Sequence, residues 1–231
     1  MRPLLLALAV IALLLGACRE DEDSSSSDSG PAESGSQEPA KTQTEGCQEV
    51  AAPEPRPDGG AKKPRLKLDP AKTFDVVLHT SCGQFTIRLD QRTSPKTAAS
   101  FASLARSGFY DGTVFHRIVP DFVIQGGDPT GSGSGGPGYS TRDVPPQETI
   151  YSKGVVAMAK TAVEPAGTAG SQFYVVTAPD AGLPPEYAVL GKIVKGQAVV
   201  DAIGRLGDPA SGGAGIPLQP VVIESAKLVP G

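Results

Sequence analysis

An arginine without a visible partner sits in the stretch "FHRIVPDFVIQGGD", Phe115 to Asp128. Arg117 stands inside a run that otherwise reads as buried strand: Val114, Phe115, Ile118, Val119, Phe122, Val123 and Ile124. Charge in such surroundings is costly unless a function or a partner holds it there. No acidic residue lies beside it before Asp121, and no serine or cysteine nucleophile is near. What a guanidinium offers in that setting is directed hydrogen-bond donation by a group that stays charged at any relevant pH.

The other candidate chemistries lack parts. "GSGSGGPGYS", Gly131 to Ser140, has the glycines of a phosphate loop but not the Gly-Lys-Ser/Thr ending, and no helix pattern follows. It reads as a flexible loop bordering a site. His79 and His116 have no cysteine or carboxylate at ligand spacing with both, so metal binding is not expected. Ser171 in "AGSQF" lacks the G-x-S-x-G elbow of a serine hydrolase.

The elements that must position Arg117 are short. "FDVVLHT" and "GQFTIRLD" alternate apolar and polar residues around Ser81–Gly83, a β-hairpin signal. "SPKTAASFASLARSG" predicts a helix with Ser94 as N-cap, Pro95 at its first position and Gly108 as its stop. Ala98, Phe101, Ala102, Leu104 and Ala105 recur there at helical spacing and define an inward face. Short strands are expected at Thr113–Val119, Val123–Gln125, Val155–Ala159, Phe173–Thr177 and Ala188–Val194. A second helix follows in "GQAVVDAIGRLG", and "PVVIESAKLV" closes the domain as a strand. Many short strands with Gly/Pro turns suggest an antiparallel barrel, because closure removes exposed edges.

"FHRIVPDFVIQGGD" with its Gly-rich loop, then "GVVAMAKT", "GTAGSQFYVVTA" and "AVLGKIVKGQAVVDAI", resemble in order the cyclophilin family of peptidyl-prolyl isomerases. The resemblance runs from about Thr73 to Val229. It implies a mainly β fold, a closed eight-stranded antiparallel barrel capped by two helices. It also implies proline-containing polypeptides as substrates and no cofactor or metal.

By this resemblance Arg117 would donate to the prolyl nitrogen as the X–Pro bond twists. Gln125 would hold Arg117 and meet a substrate carbonyl. Phe122 and Val123 would line a proline pocket, Val123 where the family usually has Met. Ala159 would belong to the peptide-binding edge. Lys160 takes the place of a usual Asn and sets a charge beside the groove. Gln172 would line the groove, Tyr174 replaces a pocket Phe, and Leu183 fits the pocket wall. Tyr187 stands where many members carry His. Gly182 stands where many eukaryotic members carry a Trp that contributes to cyclosporin binding. The alternative is a proline-peptide-binding module of the same fold with incidental turnover; Arg117 together with Gln125 favours the enzyme.

The rest of the chain sets location. "MRPLLLALAVIALLLGA" has one positive charge and then an apolar block from Leu4 to Leu15. That block falls short of the roughly 20 residues a spanning helix needs, and fits a secretory signal. The following "LGAC" resembles a bacterial lipobox, which makes Cys18 the expected lipidation site and the protein extracytoplasmic and anchored to a bacterial cell membrane. From Arg19 to Gly46 eight acidic and two basic residues give a net −6, with no aromatic or large aliphatic residue. Such a segment reads as a disordered tether. Beyond it 18 basic and 17 acidic residues nearly cancel without a basic cluster, which argues against nucleic-acid binding. Cys47 and Cys82 remain in an oxidising setting, where a disulfide is expected, stapling a weakly hydrophobic lead-in to the rim of the domain. The expected division is 1–17 lipoprotein signal, 18–46 tether, 47–72 lead-in and 73–231 isomerase domain, acting as a monomer.

Overall fold

The computed structural model describes residues 46–231. The signal segment, Cys18 and nearly all of the tether lie outside the described residues. The expected hairpin is β1 (Phe74–Thr80) and β2 (Gly83–Leu89), followed by helix α1 (Pro95–Arg106). Short strands come next: β3 (Thr113–Val114), β4 (Arg117–Val119), β5 (Val123–Gly126) and β6 (Thr141–Arg142). Then follow β7 (Val155–Met158), β8 (Thr168–Ala169), β9 (Phe173–Val176) and β10 (Val189–Lys195). Helix α2 (Gln197–Gly204), a 3-10 segment Pro209–Ala214 and β11 (Val222–Pro230) complete the fold.

Nine of these strands form one curled antiparallel sheet in the order β3-β11-β1-β2-β10-β7-β9-β5-β4, a half-barrel; β6 and β8 pair separately. This differs from the closed eight-stranded barrel expected. Among the described residues no ladder joins the β3 and β4 edges, and a lone bridge, Val114 to Asp128, draws the β3 edge toward the end of β5. One cause of the extra strand is a corner. Thr113–Val119, expected as a single strand, breaks at Phe115–His116, where the chain leaves β11 and turns to pair with β5. Buried Phe115 pins that corner against Phe85 and Phe173.

Helix α1 buries the five residues its spacing marks as inward, Ala98, Phe101, Ala102, Leu104 and Ala105. Its cap is not the one expected. Ser94 occupies the N-cap position, but its side chain makes no capping bond. The orphan N–H of Thr97 instead donates to Asp143 Oδ2 at 2.7 Å, a carboxylate from a distant loop. Gly108, at φ 70°, ends the helix as its lack of a Cβ allows.

Packing sorts into two apolar bodies on opposite faces of β4, β5, β9 and β7. Ile118, Ile124, Val175 and Val156 are in register and point into the main core. The alternate row carries Val123, Tyr174, Val176 and Ala157 into a second, smaller cluster. Strand β9 is buried on both faces, which explains its unbroken apolar run "FYVV".

The lead-in docks more firmly than its composition suggests, and it does so largely through backbone. Gln48 N–H donates to Ser81 O (2.8 Å), and Arg56 N–H to Pro129 O (2.9 Å). Ala61, Leu66 and Leu68 pack against the main core. The Arg56 guanidinium donates to Phe109 O and lies 5.7 Å from that ring's centroid. At its start the Sγ atoms of buried Cys47 and Cys82 lie 2.08 Å apart.

For a sequence separation of 35 residues, loop-closure entropy gives a disulfide roughly 3–4 kcal/mol of stabilisation. Non-reducing peptide mapping of the protein purified without reductant is expected to recover the 47–82 pair, and reductant to lower its melting temperature by several degrees. Two free thiols, or melting indifferent to reductant, would remove this staple.

Candidate active site

The site is built on one row of the sheet. Arg117 on β4 is in register with Gln125 on β5, Gln125 with Tyr174 on β9, Tyr174 with Ala157 on β7, and Ala157 with Val189 on β10. Side chains on antiparallel neighbours in register share a face. The strands therefore place a guanidinium, an amide and an aromatic ring side by side, facing away from the main core.

Arg117 is half-buried and held at three points. Its Nε donates to Gly213 O at 3.1 Å, its Nη1 reaches Gln125 Oε1 at 3.5 Å, and its Cζ lies 5.9 Å from the Phe122 ring centroid. Burial lowers its pKa, with the nearby Tyr187 hydroxyl opposing. A guanidinium starts so high that it stays charged all the same. It has five N–H donors, and its two hydrogen bonds among the described residues leave others for a ligand.

The amide beside it cannot swing freely. Gln125 Nε2 donates to Gln172 Oε1 at 3.0 Å, and Gln172 Nε2 donates to Gly133 O (3.0 Å) and Gly135 O (2.8 Å). These bonds fix both amide orientations and leave Gln125 Oε1 facing Arg117. The glycines belong to the loop that follows Asp128. That carboxylate is fully buried and accepts from Thr130 N–H and hydroxyl and from the N–H groups of Gly133 and Gly135. Burial pushes its pKa up, but these donors outweigh burial and hold it below the ordinary carboxylate value. A Cβ at Gly135 would lie 2.3 Å from Asp128 Oδ1, so the loop can close on the carboxylate only with glycine there.

The second apolar cluster forms the surface next to Arg117. It brings together Phe122, Val123, Ala159, Tyr174, Leu183 and Tyr187, residues spread over 66 positions of chain. With Arg117, Gln125, Gln172 and Lys160 they complete the set singled out in the sequence. Beside them a cavity of about 410 Å³ is lined by Gln125, Ala159, Lys160, Gln172 and the Gly-rich loop. A larger groove, about 1040 Å³, runs between lead-in residues 63–70 and the start of α1, away from Arg117.

Two details differ from expectation. The Lys160 ammonium does not stand free beside the groove: its side chain is 2% exposed, 2.9 Å from Glu186 Oε2, and 5.4 Å from the Tyr187 ring centroid. The charge is therefore neutralised and braces an aromatic wall. Tyr174, where a Phe was the reference, carries a buried hydroxyl with no partner among the described residues. Burial raises its pKa strongly, with Tyr151 and Tyr187 adding to the effect.

Sequence reasoning passed over Tyr151. It is fully buried, donates to Tyr187 O at 2.6 Å and accepts from Tyr187 N–H at 3.0 Å, so it fixes that wall's backbone. Burial pushes its hydroxyl up to about 12. An isolated aromatic in the polar stretch "QETIYSKG" was the only local signal.

The cyclophilin-type peptidyl-prolyl cis-trans isomerase family model matches residues 75–228, and the chain belongs to that family. It is 39% identical over 177 residues to the peptidyl-prolyl cis-trans isomerase A of Mycobacterium tuberculosis, covering 69% of this chain and 94% of that protein. It is 41% identical over 136 residues to a peptidyl-prolyl cis-trans isomerase-like 1 of Neurospora crassa, covering 57% of this chain and 82% of that one. A solved cyclophilin-type isomerase of Cryptosporidium parvum superposes with a TM-score of 0.61 at 29% identity, covering 68% of this chain and 98% of that chain. The same protein has also been solved in the presence of the dipeptide Ala-Pro.

The orphan hydroxyl generates a stability prediction. An unpaired buried hydroxyl costs about 1–3 kcal/mol. Tyr174→Phe is therefore expected to raise the melting temperature or leave it unchanged. A clear destabilisation of that variant in thermal or urea unfolding would show that the hydroxyl has a partner in solution.

Proposed function

We propose that this isomerase lowers the X–Pro barrier by hydrogen-bond donation from Arg117 to the prolyl nitrogen of a twisted amide. The rotation barrier is about 18–20 kcal/mol, because the nitrogen lone pair is conjugated with the carbonyl. Uncatalysed exchange takes tens of seconds. Twisting localises the lone pair on nitrogen, so a donor aimed there binds the twisted state better than either planar ground state. No bond breaks and no proton is transferred, which suits a site whose central group is a permanent cation. The observation that carries the reading is the Arg117–Gln125 pair, in register beside an apolar surface.

The remaining roles follow from placement. Phe122, Val123, Tyr174, Leu183 and Tyr187 take the proline ring. Gln125 holds Arg117 and meets a substrate carbonyl. Ala159 and Lys160 offer backbone to the peptide, and Gln172 lines the groove. The substrates are proline-containing exported polypeptides, met by a monomer tethered to the bacterial membrane through lipid on Cys18. The Cys47–Cys82 disulfide forms after export. The signal-like start and "LGAC" support that location.

Arg117→Ala is expected to cut kcat for an X–Pro peptide about 100- to 1000-fold, by analogy with removing one preorganised donor, without loss of fold. Arg117→Lys should recover only part, since an ammonium lacks the fixed fork. Wild-type turnover by the Ala variant would end this mechanism. Separately, cells fed a fatty-acid probe should label the wild-type protein and not Cys18→Ser, which should also leave the membrane fraction. Unchanged partitioning of that variant would contradict the lipid anchor.

A further inference from the structure

The hydrogen-bond relay that ends at Arg117 does not begin at Gln172. The carbonyls that hold Gln172 belong to Gly133 and Gly135, in an eight-residue loop, Gly131–Gly138, with five glycines. Chain of that composition has many accessible conformations, so something must fix it. From inside, Asp128 accepts the Gly133 and Gly135 N–H groups. From outside, the lead-in does the rest. Gly136 N–H donates to Asp58 Oδ1 at 2.7 Å, Gly59 N–H to Gly136 O at 3.0 Å, and Ala61 N–H to Pro137 O at 3.1 Å. Gly59 sits at φ +74°, a left-handed conformation, with its backbone close against Gly138. These residues lie ahead of the span 75–228 that the family model matches.

We infer that Asp58 is a positioning residue for the isomerase reaction. The strap formed by residues 56–61 clamps the outer side of the Gly-rich loop. The loop carbonyls orient Gln172, Gln172 orients Gln125, and Gln125 orients the Arg117 guanidinium. The inference rests on the reading of Arg117 as the donor to the twisted amide. A donor displaced by a fraction of an ångström loses directional bonding in the twisted state. The apolar surface that takes the proline ring is built from other residues and is unaffected. Loss of Asp58 should therefore act more on kcat than on KM, to which the Gln125 contact with a substrate carbonyl also contributes.

The test uses the full chain. Asp58→Ala is expected to lower kcat about fivefold, with KM changed less than about twofold. Asp58→Asn keeps an acceptor oxygen at the same place and should restore most of the loss. Gly59→Pro removes the N–H and cannot adopt the left-handed φ, so it should undock the strap and give a larger kcat loss with the same split. In an Arg117→Ala background, Asp58→Ala should add nothing, because it acts through the missing side chain. Two-dimensional NMR should show the Gln125 and Gln172 side-chain amide signals shifted in Asp58→Ala and restored in Asp58→Asn.

If Arg117→Ala collapses turnover while Asp58→Ala runs at the wild-type kcat, the positioning role is wrong and the donor reading stands. If Arg117→Ala is without effect, the donor reading fails and this inference goes with it. A rise in KM alone, or full additivity with Arg117→Ala, would make Asp58 a direct substrate contact and overturn positioning. Failure of Asp58→Asn to restore kcat would also overturn it.

Discussion

The site depends on keeping a charged donor beside an apolar surface without enclosing it. A fully enclosed guanidinium would demand a carboxylate partner, and a salt bridge would occupy the donors a ligand needs. A fully exposed one would be fixed by nothing. Arg117 is held between these limits by neutral acceptors, a backbone carbonyl from Gly213 and the amide oxygen of Gln125, and by the ring of Phe122. None of these neutralises it. The sheet makes the arrangement possible, because the register of β4, β5 and β9 fixes which side chains share its outer face.

The same logic of neutral anchoring extends outward. Gln125 and Gln172 are amides, so each can accept on one side and donate on the other, and a chain of them transmits orientation without charge. The two carboxylates that hold the loop, Asp128 from inside and Asp58 from outside, are placed where backbone donors meet them. The ammonium of Lys160 is likewise paired off, with Glu186, and turned onto Tyr187. Among the described residues Arg117 is thereby left as a charge with donors to spare at the edge of the apolar cluster. The lead-in is part of this support: residues outside the matched domain close the loop on which the relay hangs.

How legible this was depends on the range over which each cause acts. The helix face of α1 and the β1–β2 hairpin follow from spacing within a few residues, and the structure has both. A strand at β9 was legible as a short apolar run, but its burial on both faces shows only in the structure. The break at Phe115–His116 was not, since it arises because β3 and β4 pair with strands about a hundred residues apart in the chain. Asp143 capping α1 in place of Ser94 is hidden for the same reason. In the site, Arg117 declared itself by being a charge in an apolar run. Val123, Tyr174 and Tyr187 came from resemblance, and nothing local marks them. Lys160 could be located but not its pairing, because Glu186 reaches it through tertiary structure. Tyr151 and the strap escaped notice because backbone hydrogen bonds leave no side-chain pattern to read.

The central claim is that Arg117 acts on the twisted state and not on binding. Magnetisation-exchange NMR of a labelled X–Pro peptide at saturating and sub-saturating enzyme reports both quantities on one sample. The account predicts that Arg117→Ala leaves the peptide Kd within about threefold of wild type, while on-enzyme cis–trans exchange falls by about two orders of magnitude or more. Exchange that stays fast once the Ala variant is saturated with peptide, with only Kd weakened, would contradict it: Arg117 would then be a binding residue, and the barrier would be lowered by something else.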